Sequence, residues 1–298
     1  MNILVLQGGT GNGRDYSLHS GTVVVRTLHA LGHTTTIYDP ADGLEGMDRL
    51  LPHIDLVFPA LHDAIGEDGT VQAFLDSYKV RYVGAGVEAS KLCFDKIASK
   101  QAFEANGIKT PKWQEVTAGS FITSPLAQHP YTLKPRFGGS NISTIVAHTG
   151  SATTIDMSVF DRYDTMLLEE LVDGIALNVV IIGNEALPVV EIVPPESEKN
   201  GNKNTYTDQT KLLSPPTHID ITMQEQAQAI GELIHAMIGV RHLSQINMVL
   251  SRHGEVYALE INTLPSFAET SSLPKAAAAA GISMEQLFEQ LINLALAD

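Results

Sequence analysis

Apolar and polar positions along the first third of the chain switch between two periods. Residues 3–6 form a short unbroken apolar run, and residues 17–31 repeat apolar positions at helical spacing up to Gly32. Residues 34–38 are β-branched, 54–59 form another apolar run, and 70–78 read as a short amphipathic helix capped by Thr70. Strand and helix in alternation predict a parallel sheet covered by helices, ending near Gly84-Ala85-Gly86.

The pattern then changes. Residues 87–93 and 94–106 read as helices, with Gly107 as a stop, and extended runs follow at 113–116, 131–134, 144–147 and 166–171, with a helix near 152–161. This is the order of a small α+β lobe. The remainder alternates strands at 177–182, 186–193, 245–250 and 256–261 with helices at 224–238, 272–280 and 283–297. The expected organisation is an N-terminal α/β domain over 1–86, a middle lobe over 87–175 and a C-terminal lobe over 176–298. Between Pro194 and Pro216 the chain is polar and free of pattern, which reads as a lid or a disordered loop.

Composition narrows the classes. At 298 residues and 44% apolar content the chain can fill two or three cores and is not a disordered polymer. A net charge of −15 argues against duplex nucleic acid as the partner. One cysteine, Cys93, excludes an internal disulfide framework. The opening residues lack a basic leader region and no apolar run is long enough to span a bilayer, so the expected compartment is the cytoplasm and no membrane partner is expected.

Four segments carry candidate chemistry. Gly8-Gly9-Thr10-Gly11-Asn12-Gly13 follows the first strand, but Arg14 stands where a dinucleotide fingerprint or a P-loop would need another residue. It is either a ligand-facing loop at a strand's carboxyl end or a plain tight turn. His62-Asp63-Ala64-Ile65-Gly66-Glu67-Asp68-Gly69 lies after the next strand, as part of a site or as a polar helix entry. The run from Tyr131 to Asn141 delivers Lys134 and Arg136 into a glycine turn, a pattern suited to phosphate, with Lys96 as a further cation. Finally, Gln245 and Asn247 share one strand face, as do Glu260 and Asn262 on the next strand. A two-residue turn at His253-Gly254 would set Asn247 opposite Glu260 and Gln245 opposite Asn262, and a four-residue turn would shift the pairing by one step of two and keep the same face. Oxygen donors so gathered suit Mg²⁺, which takes one or two protein carboxylates and leaves the rest to phosphate and water.

In this order the chain resembles the D-alanine–D-alanine ligases of the ATP-grasp superfamily. The resemblance rests on Gly8-Gly9-Thr10, Ser17-Leu18-His19-Ser20-Gly21, Leu61-His62, Gly66-Glu67-Asp68-Gly69, Tyr82-Val83-Gly84-Ala85-Gly86, Phe94-Asp95-Lys96, Leu133-Lys134-Pro135, Gly139-Ser140, Leu168-Glu169-Glu170 and Leu259-Glu260-Ile261-Asn262-Thr263-Leu264-Pro265. It implies an ATP-grasp fold behind an N-terminal parallel-sheet domain, and ATP-dependent joining of a carboxylate to an amine through an acyl phosphate. In such enzymes the product, D-alanyl-D-alanine, feeds peptidoglycan synthesis. By position, Lys96, Lys134 and Gly139 would hold phosphates, Glu169 would contact adenine, and Ser140 would sit over the reaction centre with Gln245 and Ser266. Ser17, His62 and Ser271 would face the amino-acid substrates. Asn247, Glu260 and Asn262 would hold Mg²⁺, with Mn²⁺ as its substitute. The Pro194–Pro216 stretch would close over the site, and proteins of this kind are usually homodimers.

The departures are specific. Asn247 and Gln245 replace a metal-binding aspartate and an arginine that meets transition-state charge. Gly13 replaces the glutamate that grips the first substrate's ammonium, Ala176 a ribose-binding glutamate, and Ser266 a glycine. Each lost preorganised donor is worth about 10²–10³ in rate, and the ribose contact roughly 1–3 kcal/mol. They leave open a ligase for another amino acid or small carboxylate, or a binding protein without turnover.

Overall fold

The computed structural model describes residues 1–138, 144–148, 155–195 and 210–298. β1 (Asn2–Leu6) lies between β2 (Thr34–Tyr38) and β3 (Leu56–Pro59), parallel to both, and Tyr82 adds a parallel bridge to Val57. α1 (Arg14–Ala30) covers this sheet with Val23, Val24 and Leu28 inward. α2 (Thr70–Ser77) begins differently from expectation. Gly69, at φ 86°, occupies the cap position, and the Asp68 carboxylate accepts from Thr70 N–H and Ile65 N–H. A left-handed cap is a glycine's place, so Thr70 is the first helical residue instead.

α3 (Val87–Phe94) and α4 (Lys96–Ala105) break at Asp95, whose carboxylate caps α4 through Ile97 N–H and Ala98 N–H. The next sheet is antiparallel, in the order β4 (Trp113–Val116), β7 (Met166–Glu170), β5 (Tyr131–Pro135), β6 (Ile145–Ala147), with short helices α5 (Ala118–Thr123) and α6 (Val159–Arg162). The helix expected near 152–161 is thus one turn at its far end, and 152–154 lie outside the described residues.

The C-terminal sheet runs β11 (Lys211–Leu213), β10 (Val190–Val193), β8 (Gly174–Ile182), β12 (Leu243–Ser251), β13 (Val256–Asn262), with β9 (Glu185–Ala186) paired to β8. The run expected at 186–193 is therefore two strands separated by 187–189, which contains Pro188. β11 falls within the stretch expected to be loop, pairing with β10, while 196–209 lie outside the described residues. α7 (Ile221–Ile238) packs on this sheet at Gly231, where a Cβ would sit 2.8 Å from Val179 Cγ1. α8 (Ser272–Ala279) and α9 (Met284–Ala297) complete the lobe. Although α3 and α4 precede the middle sheet in sequence, their Ala89, Cys93 and Phe103 share a core with Leu177, Ile246 and Ile261 of the C-terminal sheet. No helix among the described residues is long and apolar enough to cross a membrane.

The β12–β13 hairpin reaches its expected pairing by an unexpected route. Its loop has three residues, 252–254, with Ser251 N–H donating to Glu255 C=O at 2.8 Å. Alone, that turn would slip the register by one and send Glu260 to the wrong face. A bulge at Leu259 restores it: Met248 pairs with Ala258, but Asn247 pairs with Glu260 and Gln245 with Asn262.

The N-terminal sheet and the C-terminal helices share one core. Phe58 of β3 stacks on Phe288 of α9 at 4.9 Å between centroids, and Phe267 meets them edge-on at 5.4 and 5.3 Å. Phe288→Ala removes the central ring of this joint and should lower unfolding free energy by about 3–5 kcal/mol, read as a shifted denaturant midpoint.

Candidate active site

A partly open hollow lies where the start of α4, the turn at Gly138 and the end of β13 converge. Glu67, Cys93, Lys96, Gly138, Glu260 and Asn262 are among the residues that line it. Lys96 is placed by α4's first turn: its N–H donates to Arg136 C=O at 3.0 Å and its ammonium donates to Gly138 C=O. Burial pulls that ammonium down, while Glu260 pulls it up more than any other group. The lysine expected to meet phosphate and the carboxylate expected to meet metal are therefore brought together.

Behind them lies a buried charge cluster. Glu169 is 1% exposed in the middle of the middle sheet. Its carboxylate accepts from Lys100 of α4 and, at 3.0 Å, from Lys134 of β5. Burial alone would raise this carboxyl, yet the two ammonium groups hold it at about 2. Lys134 in turn, although buried, is held above its ordinary value by Glu169. Lys100 also donates to Thr110 Oγ1 at 2.6 Å and to Ala258 C=O of β13 at 3.4 Å, so one side chain ties helix, middle sheet and C-terminal sheet. Sequence reasoning missed Lys100. A signal was present: Ile97, Lys100 and Phe103 recur at a spacing of three on one helix face, and all three are buried.

Arg136, expected beside Lys134 in a phosphate cradle, is committed elsewhere. It forms a forked pair with Asp95, meets Glu115 at 3.0 Å and lies over the Phe137 ring. Gly139 and Ser140 lie outside the described residues, as do residues 196–209 of the expected closing loop.

The hairpin face holds a ladder of amides. Gln245 Nε2 donates to Asn247 Oδ1 at 2.9 Å, and Asn247 Nδ2 donates to Glu260 Oε1 at 2.7 Å. Asn262 Oδ1 accepts from Leu264 N–H at 2.8 Å. No group of three or more histidine, cysteine or acidic side chains that could hold a metal occurs among the described residues. The donor set nevertheless fits Mg²⁺ as one half of a site: hard oxygens with a single carboxylate, completed by phosphate oxygens. It offers nothing to a soft metal.

The substrate side is built on α1 and the segment after β3. Ser17 serves the backbone rather than the pocket, accepting from Gly8 N–H at 2.8 Å and donating to Ala60 C=O at 2.7 Å. His62 is pushed down to about 4 by burial, against a hydrogen bond to the Leu264 backbone. Ser20 Oγ lies 3.1 Å from His62 Nε2 and 3.1 Å from Ser266 Oγ, joining the N-terminal domain to the strand-ending turn. The Ser266 hydroxyl also accepts from Ala268 N–H at 3.2 Å. Ser271 caps α8 with no side-chain hydrogen bond, leaving its hydroxyl beside a helix N-terminus. Ala176 lies on β8, opposite Val249. Glu67, which sequence reasoning did not assign a role, is pushed up to about 8 by burial and accepts from Asp63 N–H at 2.5 Å.

Glu169→Gln should cost about 3–5 kcal/mol at neutral pH by leaving two buried ammonium groups without their counter-charge. With the native carboxyl at about 2 against an ordinary 4.5, its stabilisation is complete above that ordinary value and lost as pH falls through the folded one. Denaturant titrations of wild type and variant should therefore converge as pH drops from about 5 toward 2.

Comparisons with known proteins agree with this geometry. The family model for the D-ala D-ala ligase C-terminus matches residues 102–293, and that for the D-ala D-ala ligase N-terminus matches 40–85. The D-alanine–D-alanine ligase of Maridesulfovibrio salexigens is 33% identical over 298 residues, spanning 99% of this chain and 98% of that protein. That of Oleidesulfovibrio alaskensis is 34% identical over 302 residues, spanning 100% and 97%. Among solved structures, the D-alanine–D-alanine ligase of Bacillus anthracis has a TM-score of 0.86 at 24% identity over 100% of this chain and 98% of that one. Its complex with ATP has a TM-score of 0.84, with the same identity and coverage. The structural likeness bears out the ATP-grasp fold with its N-terminal parallel sheet. Family models and relatives together show that the chain belongs to the D-alanine–D-alanine ligase family.

Proposed function

We propose that this chain, as an ATP-dependent ligase of that family, uses the hollow at Lys96 and Glu260 to join two amino acids, D-alanine foremost, through an acyl phosphate. The observation that carries the reading is the meeting of Lys96 and Glu260 with Asn262 and Gly138 around one hollow.

The substrate carboxylate attacks the γ-phosphorus of ATP, the bond to ADP breaks, and an acyl phosphate forms. The amine of the second amino acid then attacks the acyl carbon. Phosphate leaves with the bonding pair, and the amine's proton passes to phosphate or solvent. The protein's task is to neutralise phosphate charge and exclude water. Lys134 spends one N–H on Glu169 and keeps two for phosphate, whereas all three of Lys100's are engaged. Lys100 is thus the group that fixes Glu169, and Lys134 and Lys96 are the groups that meet the nucleotide. Glu260 and Asn262, with Asn247 beside them, hold Mg²⁺. When bound, that ion polarises the phosphoryl oxygens. Gln245 gives one N–H to Asn247 and presents the other to the developing negative charge. Ser266, tied to Ser20 and neutral His62, shapes the same wall. Ser271 and the α8 N-terminus receive the second amino acid's carboxylate. The reaction belongs in the cytoplasm, where it supplies a dipeptide for cell-wall assembly.

Phosphate release coupled to D-alanine, ATP and Mg²⁺ should be measurable for the wild type and absent in Glu260→Ala; release no greater than in that variant would overturn the ligase reading. Gln245→Ala should lower kcat by about 10² with little change in KM, as expected for a donor that acts on transition-state charge. Asn247→Asp restores a negative ligand, and titration with Mn²⁺ followed by electron paramagnetic resonance should show about tenfold tighter binding.

A further inference from the structure

An amino acid that enters a water-poor pocket carboxyl-first brings its α-ammonium with it, and a cation so placed needs an anionic partner. Position 13, where the family resemblance leads one to seek that partner, has no room for a side chain. A Cβ on Gly13 would lie 2.8 Å from His62 Cβ and 3.1 Å from the His62 carbonyl carbon and oxygen. The segment that fills this space continues directly into Asp63.

Asp63 is held in an unusual way. Its φ is 70°, in the left-handed region that aspartate tolerates better than most residues. A Cβ on Gly11 would be 3.0 Å from both Asp63 Cβ and Asp63 Oδ2, so the glycine loop and this residue are in close approach. Asp63 Oδ2 accepts from Asn12 N–H at 3.1 Å. Asp63 Oδ1 faces the other way and would be 3.7 Å from a Cβ on Gly138, the residue whose carbonyl receives Lys96. The carboxylate therefore stands between the glycine loop and the phosphate turn, at the edge of the hollow.

The two carboxyls that line the hollow, Glu67 and Glu260, are committed. Glu260 accepts from Asn247 on the metal-binding hairpin face. Glu67, at about 8, keeps its proton at neutral pH and is bonded to Asp63 N–H. Asp63 is half-buried and, among the described residues, has no ion-pair partner.

We propose that Asp63 is the counter-charge for the α-ammonium of the carboxyl-donating substrate, which makes that substrate an amino acid rather than a hydroxy acid. The assignment rests on the ligase reading for its substrate, and its test separates the two.

D-alanine and its hydroxy analogue D-lactate are titrated by calorimetry into the protein loaded with Mg²⁺ and a non-hydrolysable ATP analogue. Wild type, Asp63→Asn and Glu67→Gln are compared. Asparagine keeps an oxygen for Asn12 N–H and removes only the charge, so melting temperature should hold and separate a charge role from a structural one. Wild type should prefer D-alanine by about tenfold to a hundredfold, the range of a charged hydrogen bond. Asp63→Asn should bring the two ligands to near parity, and Glu67→Gln should keep the preference. A preference unchanged in Asp63→Asn, or absent in wild type, overturns the assignment. Phosphate release on the same samples judges the ligase reading independently. Discrimination without turnover keeps Asp63 and removes the ligase, whereas turnover of D-lactate as readily as D-alanine does the reverse.

Discussion

A single carboxylate, Glu169, pinned between two ammonium groups in a dry interior, organises the cleft. Ionised groups removed from water lose several kcal/mol of hydration each, and only close opposite charges with full hydrogen bonding recover it. Here recovery is nearly complete. Glu169 accepts from Lys100, from Lys134 and from Thr132 Oγ1 at 3.3 Å, while Lys100 spends its remaining donors on Thr110 and Ala258. Because these partners come from α4, β5, β7 and β13, the cluster can be satisfied only when the middle sheet and the C-terminal sheet are correctly placed. The cluster thereby sets the geometry of the hollow between the two sheets.

The hairpin beyond it follows a different electrostatic plan. Gln245 and Asn247 stand where a guanidinium and a carboxylate are expected, so one positive and one negative group are absent together. The remaining amides bond to each other and then to Glu260, at 2.9 and 2.7 Å. This gives the Glu260 carboxylate an amide donor in place of a charged neighbour. Restoring the aspartate alone would set two carboxylates side by side. The two departures are best understood as one coupled change, which alters the strength of the site more than its sign.

What could be read in advance divides along physical lines. The parallel N-terminal sheet was legible because short apolar strands and amphipathic helices alternate with distinct periods. The convergence of Lys96, Glu260 and Asn262 was legible through ordered motifs and the two-residue spacing of strands. Three things were not. Lys100 is an ordinary helical lysine by composition, and its burial depends on a partner 69 positions away. Arg136 lies in a run suited to phosphate, yet Asp95 and Glu115 reach it first. Ser17 is spent on the backbone of its own turn. Tertiary partners decide each of these, and the local pattern leaves a trace only for Lys100, which shares the buried helix face of Ile97 and Phe103.

The hairpin turn makes the same point more sharply. A two-residue turn and a three-residue turn with a bulge bring the same four side chains to one face, so a correct pairing can follow from an incorrect turn. The difference is not neutral. A bulge bends and twists its strand locally, and next to the bulged Leu259 the outward-facing N–H of Ala258 donates to Lys109 C=O at 2.8 Å. The Ala258 carbonyl faces the same way and accepts from Lys100 and Thr110, at 3.4 and 2.8 Å. The bulge that sets Asn247 opposite Glu260 thus lies one residue from the carbonyl that docks β13 onto the Glu169 cluster, and the two features share one short stretch of strand.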